Sequence, residues 1–284
     1  MKIAFSILHF GPYEVTKECI DSILKLNNFE NCEIIIVDNF SANGSIEKLK
    51  KEYDEYTNIH FLCNAENLGF AKGNNVGFNY AKVELNADVI CVLNNDIVIQ
   101  QNDFILLLND CLKKYDVDVV APSIINSKGY FQNPLRMREL SIFDICYALF
   151  YNFVMSIVYT IPYINIKVAN ILENRRNVKR NEETKKCVES IVPHGAAIIY
   201  GQKYIHNENV AFLENTFLFC EEDMLFEYLK QKKYKILYYP KLCVLHYEDA
   251  SIRAVTSDFV KKRKFVAKQK ISSLLSLLKF RLKI

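Results

Sequence analysis

Three stretches of this chain carry side chains out of place in a hydrophobic core. The first is VLNNDIVI (92–99), where Asn94, Asn95 and Asp96 interrupt an apolar run that would otherwise continue as a strand. The second is Asp38-Asn39, closing the run IIIV. The third is Glu221-Glu222-Asp223, three consecutive acids behind the aromatic FLF at 217–219, which reads as a strand feeding straight into them. An acid ending a strand can hold a divalent cation whose remaining ligands are phosphate oxygens. Beside it, the Asn94 and Asn95 amides can hydrogen-bond a sugar or ribose, and the Asp38 carboxylate can accept from a base or a ribose hydroxyl. NLGFAKGNNVG (67–77) adds Gly69, Gly73 and Gly77, which permit close backbone approach to a ligand where a loop becomes a helix. Its spacing fits neither the GxGxxG dinucleotide fingerprint nor a Walker loop. Each stretch also has a plainer explanation. Asp96 can close an Asx turn, and acids collect in the first turn of helices for dipole reasons.

The elements that must position these residues alternate. KIAFSILHF, CEIIIVDNF, IHFLCN and DVICVLNND are short apolar runs, and VTKECIDSILKL, SIEKLKKEY and the residues after NLGFAKGNN have helical periodicity. Near-continuous apolar strands separated by helices predict an α/β chain with a mainly parallel sheet covered on both faces. Ligands of such sheets bind outside the carboxyl ends of the strands, so His9, Asp38, Asn39, Asn64 and Asn94 to Asp96 should converge on one rim. The rhythm breaks over 126–190. There, residues 145–166 hold no charge and many aromatics, but Asn152, Pro162 and Asn165 interrupt them, which favours a buried or interfacial helix pair over a membrane span. Strand and helix patterns resume from 191 to 250. The expected division is therefore a first α/β half over 1–125, an insert over 126–190, a second half over 191–250 and a basic tail over 251–284.

Of the 284 residues half are hydrophobic, which excludes a disordered chain. The formal net charge is +3, yet no acid follows Asp258 while nine Lys and Arg do, which leaves −6 for the rest. Ile271, Leu274, Leu275, Leu278 and Leu282 line up at helical spacing in that tail. A basic amphipathic helix either packs on the domain or lies on an anionic membrane surface. With one aromatic in KKRKFVAKQK, nucleic acid is not the expected partner. Nine cysteines without a CxxC pair suggest reduced, mostly buried thiols in a cytosolic protein. The N-terminal apolar run, ended by Gly11-Pro12, does not have the form of a secretory signal.

Taken in order, VDN (37–39), NLGFAKGNNVG (67–77), LNND (93–96), PHGAAIIY (193–200), FLFCEED (217–223) and LHYEDAS (245–251) resemble the inverting family 2 glycosyltransferases of GT-A fold, closest to the rhamnosyltransferase-like enzymes of bacterial polysaccharides. The resemblance implies a Rossmann-like sheet flanked by helices, with a helical insert and a C-terminal basic helix. It implies transfer of one sugar with inversion from a UDP- or dTDP-linked donor to a glycan or lipid-linked glycan, at the cytoplasmic membrane face, in capsule or O-antigen assembly. Asp96 matches the last acid of the family's metal motif, with Asn94 in place of the first, and His246 matches a histidine that completes the Mn²⁺ or Mg²⁺ shell. Asp38, His9, Asn67, Gly69, Gly73, Asn75, Asn94, Asn95 and His194 are implied contacts of nucleotide or sugar. His9 stands where many relatives have Asn. Glu221, Glu222 and Asp223 match the general-base segment. Counting from Phe217 puts the base on Glu222, and keeping a Glu-Asp pair puts it on Asp223. The rival functions are a binding subunit without turnover and a sugar-phosphate nucleotidyltransferase, for which FSILHFGPYEV lacks a basic triphosphate loop.

Overall fold

Uninterrupted apolar residues leave a strand no solvent face, and β1 (Ile3–His9) is accordingly buried along its whole length. In this computed structural model, residues 1–161, 184–247 and 259–282 are described. Around β1 the order is α1 (Tyr13–Leu24), β2 (Cys32–Asp38), α2 (Ser45–Glu52), β3 (Ile59–Cys63), α3 (Gly69–Val83), β4 (Val89–Asn94), β5 (Ile97–Val98), α4 (Phe104–Lys114) and β6 (Val119–Asn126). Then follow α5 (Ile142–Val158), β7 (Val188–Glu189), β8 (Ala197–Tyr200), α6 (Gln202–Asn207), α7 (Glu221–Gln231), β9 (Ile236–His246) and α8 (Phe259–Leu282).

Among the described residues one sheet runs β3-β2-β1-β4-β8-β6-β9-β5, with β7 paired to β9. β1, β2, β3 and β4 are mutually parallel; β8 is antiparallel to β4 and β6, and β9 is parallel to β6. The carboxyl ends of β1, β2, β4, β6 and β9 therefore face one rim, and the turn that leads into β8 meets them there. Two apolar layers cover the sheet. One packs α1, α2 and α4 against Phe5, Ile7, Ile34 and Leu93; the other packs α3, α6 and α7 against Ala4, Ile35, Val92 and Tyr238. The α/β expectation holds, including a helical insert and a C-terminal helix.

The interruption at 94–96 has a topological cause. β4 stops at Asn94, and the next residues carry the chain to β5, which pairs with the end of β9 at the far edge of the sheet. Ile97 lies opposite His246 in that pairing. The polar turn thus crosses the rim, where a further apolar residue would have lengthened β4.

Two expectations from the apolar pattern change. The residues before the acids form no strand: the chain bends through 216–220, and Phe219 and Cys220 have φ of 75° and 65°. The leucine face of α8 is narrower than read, because Leu274 and Leu277 are buried against Ile145 of α5 and Met224 of α7 while Leu275 and Leu282 are exposed. Of the nine cysteines, all free, Cys63, Cys146 and Cys187 are exposed and the others are at least half-buried. Residues 162–166 of the uncharged segment, most of 173–186 and residues 251–258 of the tail lie outside the described residues. Among the described residues no helix is long and apolar enough to cross a membrane.

Candidate active site

The rim is levelled by strand register: His9 is opposite Asp38, and Leu8 is opposite Asn94. Asp38 and Asn94 thus flank β1, two strand spacings or about 10 Å apart. Asp38 Oδ1 accepts the Ser41 N–H at 3.0 Å, so the carboxylate stays fixed at the strand end. Asn94 is half-buried, and its backbone N–H donates to Ala196 O at 2.9 Å, tying β4 to the 194–196 turn.

Asp96 and His246 meet because β5 returns beside β9. Asp96 Oδ1 is buried, makes no hydrogen bond, and stands 3.2 Å from His246 Nε2. At 2.8 Å the other ring nitrogen, Nδ1, faces Gln132 Oε1, an acceptor, so Nδ1 carries the hydrogen. With the hydrogen on Nδ1, an unprotonated Nε2 directs its lone pair at the Asp96 carboxylate oxygen, and a protonated one makes an ion pair with it. Two electron-rich atoms at that separation fit a cation contacted by both. Among the described residues no group of three or more His, Cys, Asp or Glu is assembled as a metal site. The pair fits an ion whose other positions are taken by diphosphate oxygens and water, which is how Mg²⁺ and Mn²⁺ are held by one or two protein ligands.

His194 adjoins this pair, its ring centroid 5.5 Å from that of His246 at 70°. Its Nδ1 accepts the Ala196 N–H at 3.2 Å, which leaves Nε2 as an N–H donor. Burial, reinforced by His246, lowers its pKa to about 3, so the ring is neutral near pH 7. Asn133 accepts the His194 backbone N–H at 3.0 Å and donates to Pro122 O at 2.8 Å, which fixes the turn.

The next residue reaches the acids. Gly195 N–H donates to Glu222 Oε1 at 3.2 Å, and a Cβ on Gly195 would stand 2.8 Å from that oxygen. A side chain here would push the Glu222 carboxylate aside. The three acids of α7 part company. Glu221 is buried and accepts from the Thr216 hydroxyl at 3.0 Å. Asp223 is buried against the Arg136 guanidinium. Glu222 alone is half-buried, on the first turn of α7, with its pKa raised by burial against the pull of the Gly195 N–H.

Burial, with repulsion from Glu222, raises Glu221 to about 8. An acid whose pKa is higher folded than unfolded destabilises the fold progressively as pH rises between the two values. Glu221→Gln should therefore match the native chain near pH 4 and exceed it in thermal midpoint by a margin that grows to about pH 8. Melting curves over that range check this; a constant margin would contradict the assignment.

Several residues implied as ligand contacts instead hold the site together. His9 is fully buried, with Nδ1 2.6 Å from the Thr16 hydroxyl and Nε2 2.7 Å from the Ser45 hydroxyl. Burial lowers its pKa although Asp38 opposes this, so a neutral ring clamps α1 and α2 to the rim. Asn95 is buried and donates to the same Thr16 hydroxyl at 3.0 Å. Asn67 Oδ1 accepts from Asn39 Nδ2 at 3.1 Å and from Gly69 N–H at 2.9 Å, within the loop. Asn75 binds Phe212 O and Glu214 Oε1 and accepts from Ala211 and Phe212 N–H, all at 2.8–3.0 Å. Gly69 has φ +79°, and a Cβ there would lie 2.5 Å from Phe217 O. At Gly73 it would lie 2.7 Å from Leu8, so these glycines seat α3 on its neighbours rather than on a ligand.

Gln132, Asn133 and Arg136 were missed as candidates, and Asn39 was read only as a rim residue. Asn39 donates to Asn67 and Gly69 O and accepts from Asn64 and Leu68 N–H, which shapes the 64–69 loop. Arg136 neutralises an acid 87 residues away, and Gln132 orients a histidine 114 residues away. Neither pairing leaves a local signal, although Asn39 sat in view at a strand end.

Known proteins resemble this chain in sequence and in fold. The low-salt glycan biosynthesis hexosyltransferase Agl10 of Haloferax volcanii is 29% identical over 111 residues, covering 39% of this chain and 34% of that one. The chain thus matches about a third of this curated relative. Of solved structures, S. aureus TarS in complex with UDP-GlcNAc superposes with TM-score 0.59 at 12% identity, covering 100% of this chain and 73% of that one. The mannosyltransferase PcManGT from Pyrobaculum calidifontis, in complex with GDP-Man and Mn2+, gives TM-score 0.57 at 10% identity, covering 99% and 74%. Those two likenesses concern the fold. The profile of glycosyl transferase family 2 matches residues 8–164, more than half of the chain, and to that family the chain belongs.

Proposed function

We propose that this protein transfers a hexose or rhamnose from a UDP- or dTDP-linked donor to a hydroxyl of a glycan or lipid-linked glycan, with inversion. The reading extends to assembly of a bacterial surface polysaccharide at the cytoplasmic face of an anionic membrane. One observation carries it: the orphaned Asp96 Oδ1 faces His246 Nε2 at 3.2 Å, and the adjoining His194–Gly195 turn carries the Glu222 carboxylate.

In this reading Asp38 holds the nucleoside at the end of β2, and Asn94 meets the donor at the end of β4. Asp96 and His246 would hold Mn²⁺ or Mg²⁺ on the diphosphate, where the ion supplies positive charge against the charge that grows on the leaving group. The His194 Nε2–H donates to a donor oxygen on the same side. A single displacement at the anomeric carbon requires the acceptor hydroxyl to lose its proton as it attacks, and Glu222 takes it. Arg136 on Asp223 and Thr216 on Glu221 withdraw the flanking acids from that role. The raised pKa of Glu222 makes it a stronger base than an exposed carboxylate.

Support comes from the family and from the donors in the similar structures, UDP-GlcNAc and GDP-Man with Mn2+. The test is nucleoside diphosphate release from a panel of nucleotide sugars, with Mn²⁺ and with a chelator. Release with at least one sugar, raised by a glycan acceptor and lost on chelation, is expected. Stable binding without release would leave a binding subunit instead.

A further inference from the structure

Helix α5 buries one face and exposes large apolar side chains on the other. Ile145, Ala148, Leu149 and Met155 pack on α8 and α7. On the opposite face Phe143, Tyr147, Phe150, Val154 and Ile157 recur every three or four residues, and the first three are 78%, 63% and 67% exposed. A continuous stripe of this kind is far from a scatter of single apolar residues and marks an interaction surface.

Charge decides what it fits. The helix packed beside it, α8, presents Lys261, Lys264, Lys268 and Lys279 to solvent at helical spacing, and the sequence holds no acid from 259 to 282. On α5 the single acid, Asp144, is occupied at the N-terminus in a capping box with Ser141. Arg138, exposed just before α5, extends the basic rim. Exposed Phe and Tyr beside a row of lysines is the composition of helices that lie in the headgroup region of anionic bilayers.

We infer that the exposed face of α5 inserts into an anionic lipid surface, with the α8 lysines contacting the headgroups. The leucines of α8, which the sequence offered for this role, are mostly spent on packing against α5 and α7. Met224 of α7 packs in the same cluster as Ile145 on the inner face of α5, so α5 lies between the bilayer and the helix that carries Glu222. This places the bilayer on the side where a lipid-linked acceptor enters, and in that respect the inference rests on the proposed transfer.

The chain contains no tryptophan, so Phe150→Trp gives the full-length protein a single indole. Mixed with vesicles containing phosphatidylglycerol, its emission should shift to the blue and be quenched by brominated acyl chains, with little response to phosphatidylcholine alone. Adding Phe143→Asn should weaken binding by about tenfold, as expected for one buried ring, without lowering the melting temperature. Lys264→Gln with Lys268→Gln should reduce binding and its salt sensitivity. Emission unmoved by vesicles overturns the inference. So does emission already blue without lipid, whether concentration-dependent, meaning a second copy covers the face, or concentration-independent, meaning the chain's own segment does. Vesicle binding without sugar transfer would sink the transfer reading alone, and transfer to soluble glycans without vesicle binding would sink only this one.

Discussion

Glu222→Gln is expected to lower sugar transfer by about 10²–10⁴-fold, the usual contribution of a positioned base, while nucleotide affinity stays within twofold or so. The amide keeps the oxygen that accepts the Gly195 N–H, so the turn that carries His194 is undisturbed. What it loses is the ability to take a proton. Single-turnover transfer, measured beside calorimetric binding of the donor, separates the two effects. Asp223→Asn is expected to act differently. It removes the charge paired to Arg136, so stability falls along with rate. If Glu222→Gln kept full turnover while Asp223→Asn lost it selectively, the base would be the other acid.

Asp96→Ala is expected to reduce metal-dependent transfer by on the order of 100-fold or more, since even outer-shell changes at metal sites cost 10–100-fold. Folding should survive. The lost carboxylate is buried, with Oδ1 lacking a hydrogen bond, and removing such a group relieves rather than creates an unpaired atom. His246→Ala should weaken Mn²⁺ affinity in the same direction and also remove the ring that Gln132 Oε1 faces. Manganese binding followed by electron paramagnetic resonance reads both variants without reference to turnover. Undiminished Mn²⁺ affinity in Asp96→Ala would remove the ion from this pair.

Much of this was legible in the sequence. Apolar runs such as IIIV and VICVL write the parallel strands plainly, because strands buried on both faces need no alternation. The acids and amides at their ends mark the rim for the same reason: nothing else in such a strand should be polar. What the pattern could not tell was whether a polar residue looks outward or inward. Asn94 and Asn95 are neighbours of one type, yet Asn94 stays at the rim while Asn95 turns under it to Thr16. His9 reads as a ligand contact until two hydroxyls from α1 and α2 claim both nitrogens.

The glycines misled for a related reason. Close approach was rightly expected of Gly69 and Gly73, but the object approached is Phe217 or Leu8, and glycine spacing alone does not name its neighbour. Strand β6 and helix α4, which lie outside the alternation first read, became visible only through pairing with β8 and β9. The proposal of Glu222 among three acids rests on contacts of Arg136 and Thr216 with its two neighbours. One of those lies 87 residues away in sequence, where no local pattern could point to it.

The most direct measurement is calorimetric titration of the native chain with UDP and dTDP, first with Mn²⁺ present and then with a chelator. The account predicts that at least one binds with Mn²⁺ and loses most of its affinity without it, because Asp96 and His246 reach the diphosphate only through the cation. A diphosphate that binds equally well in both conditions would contradict it.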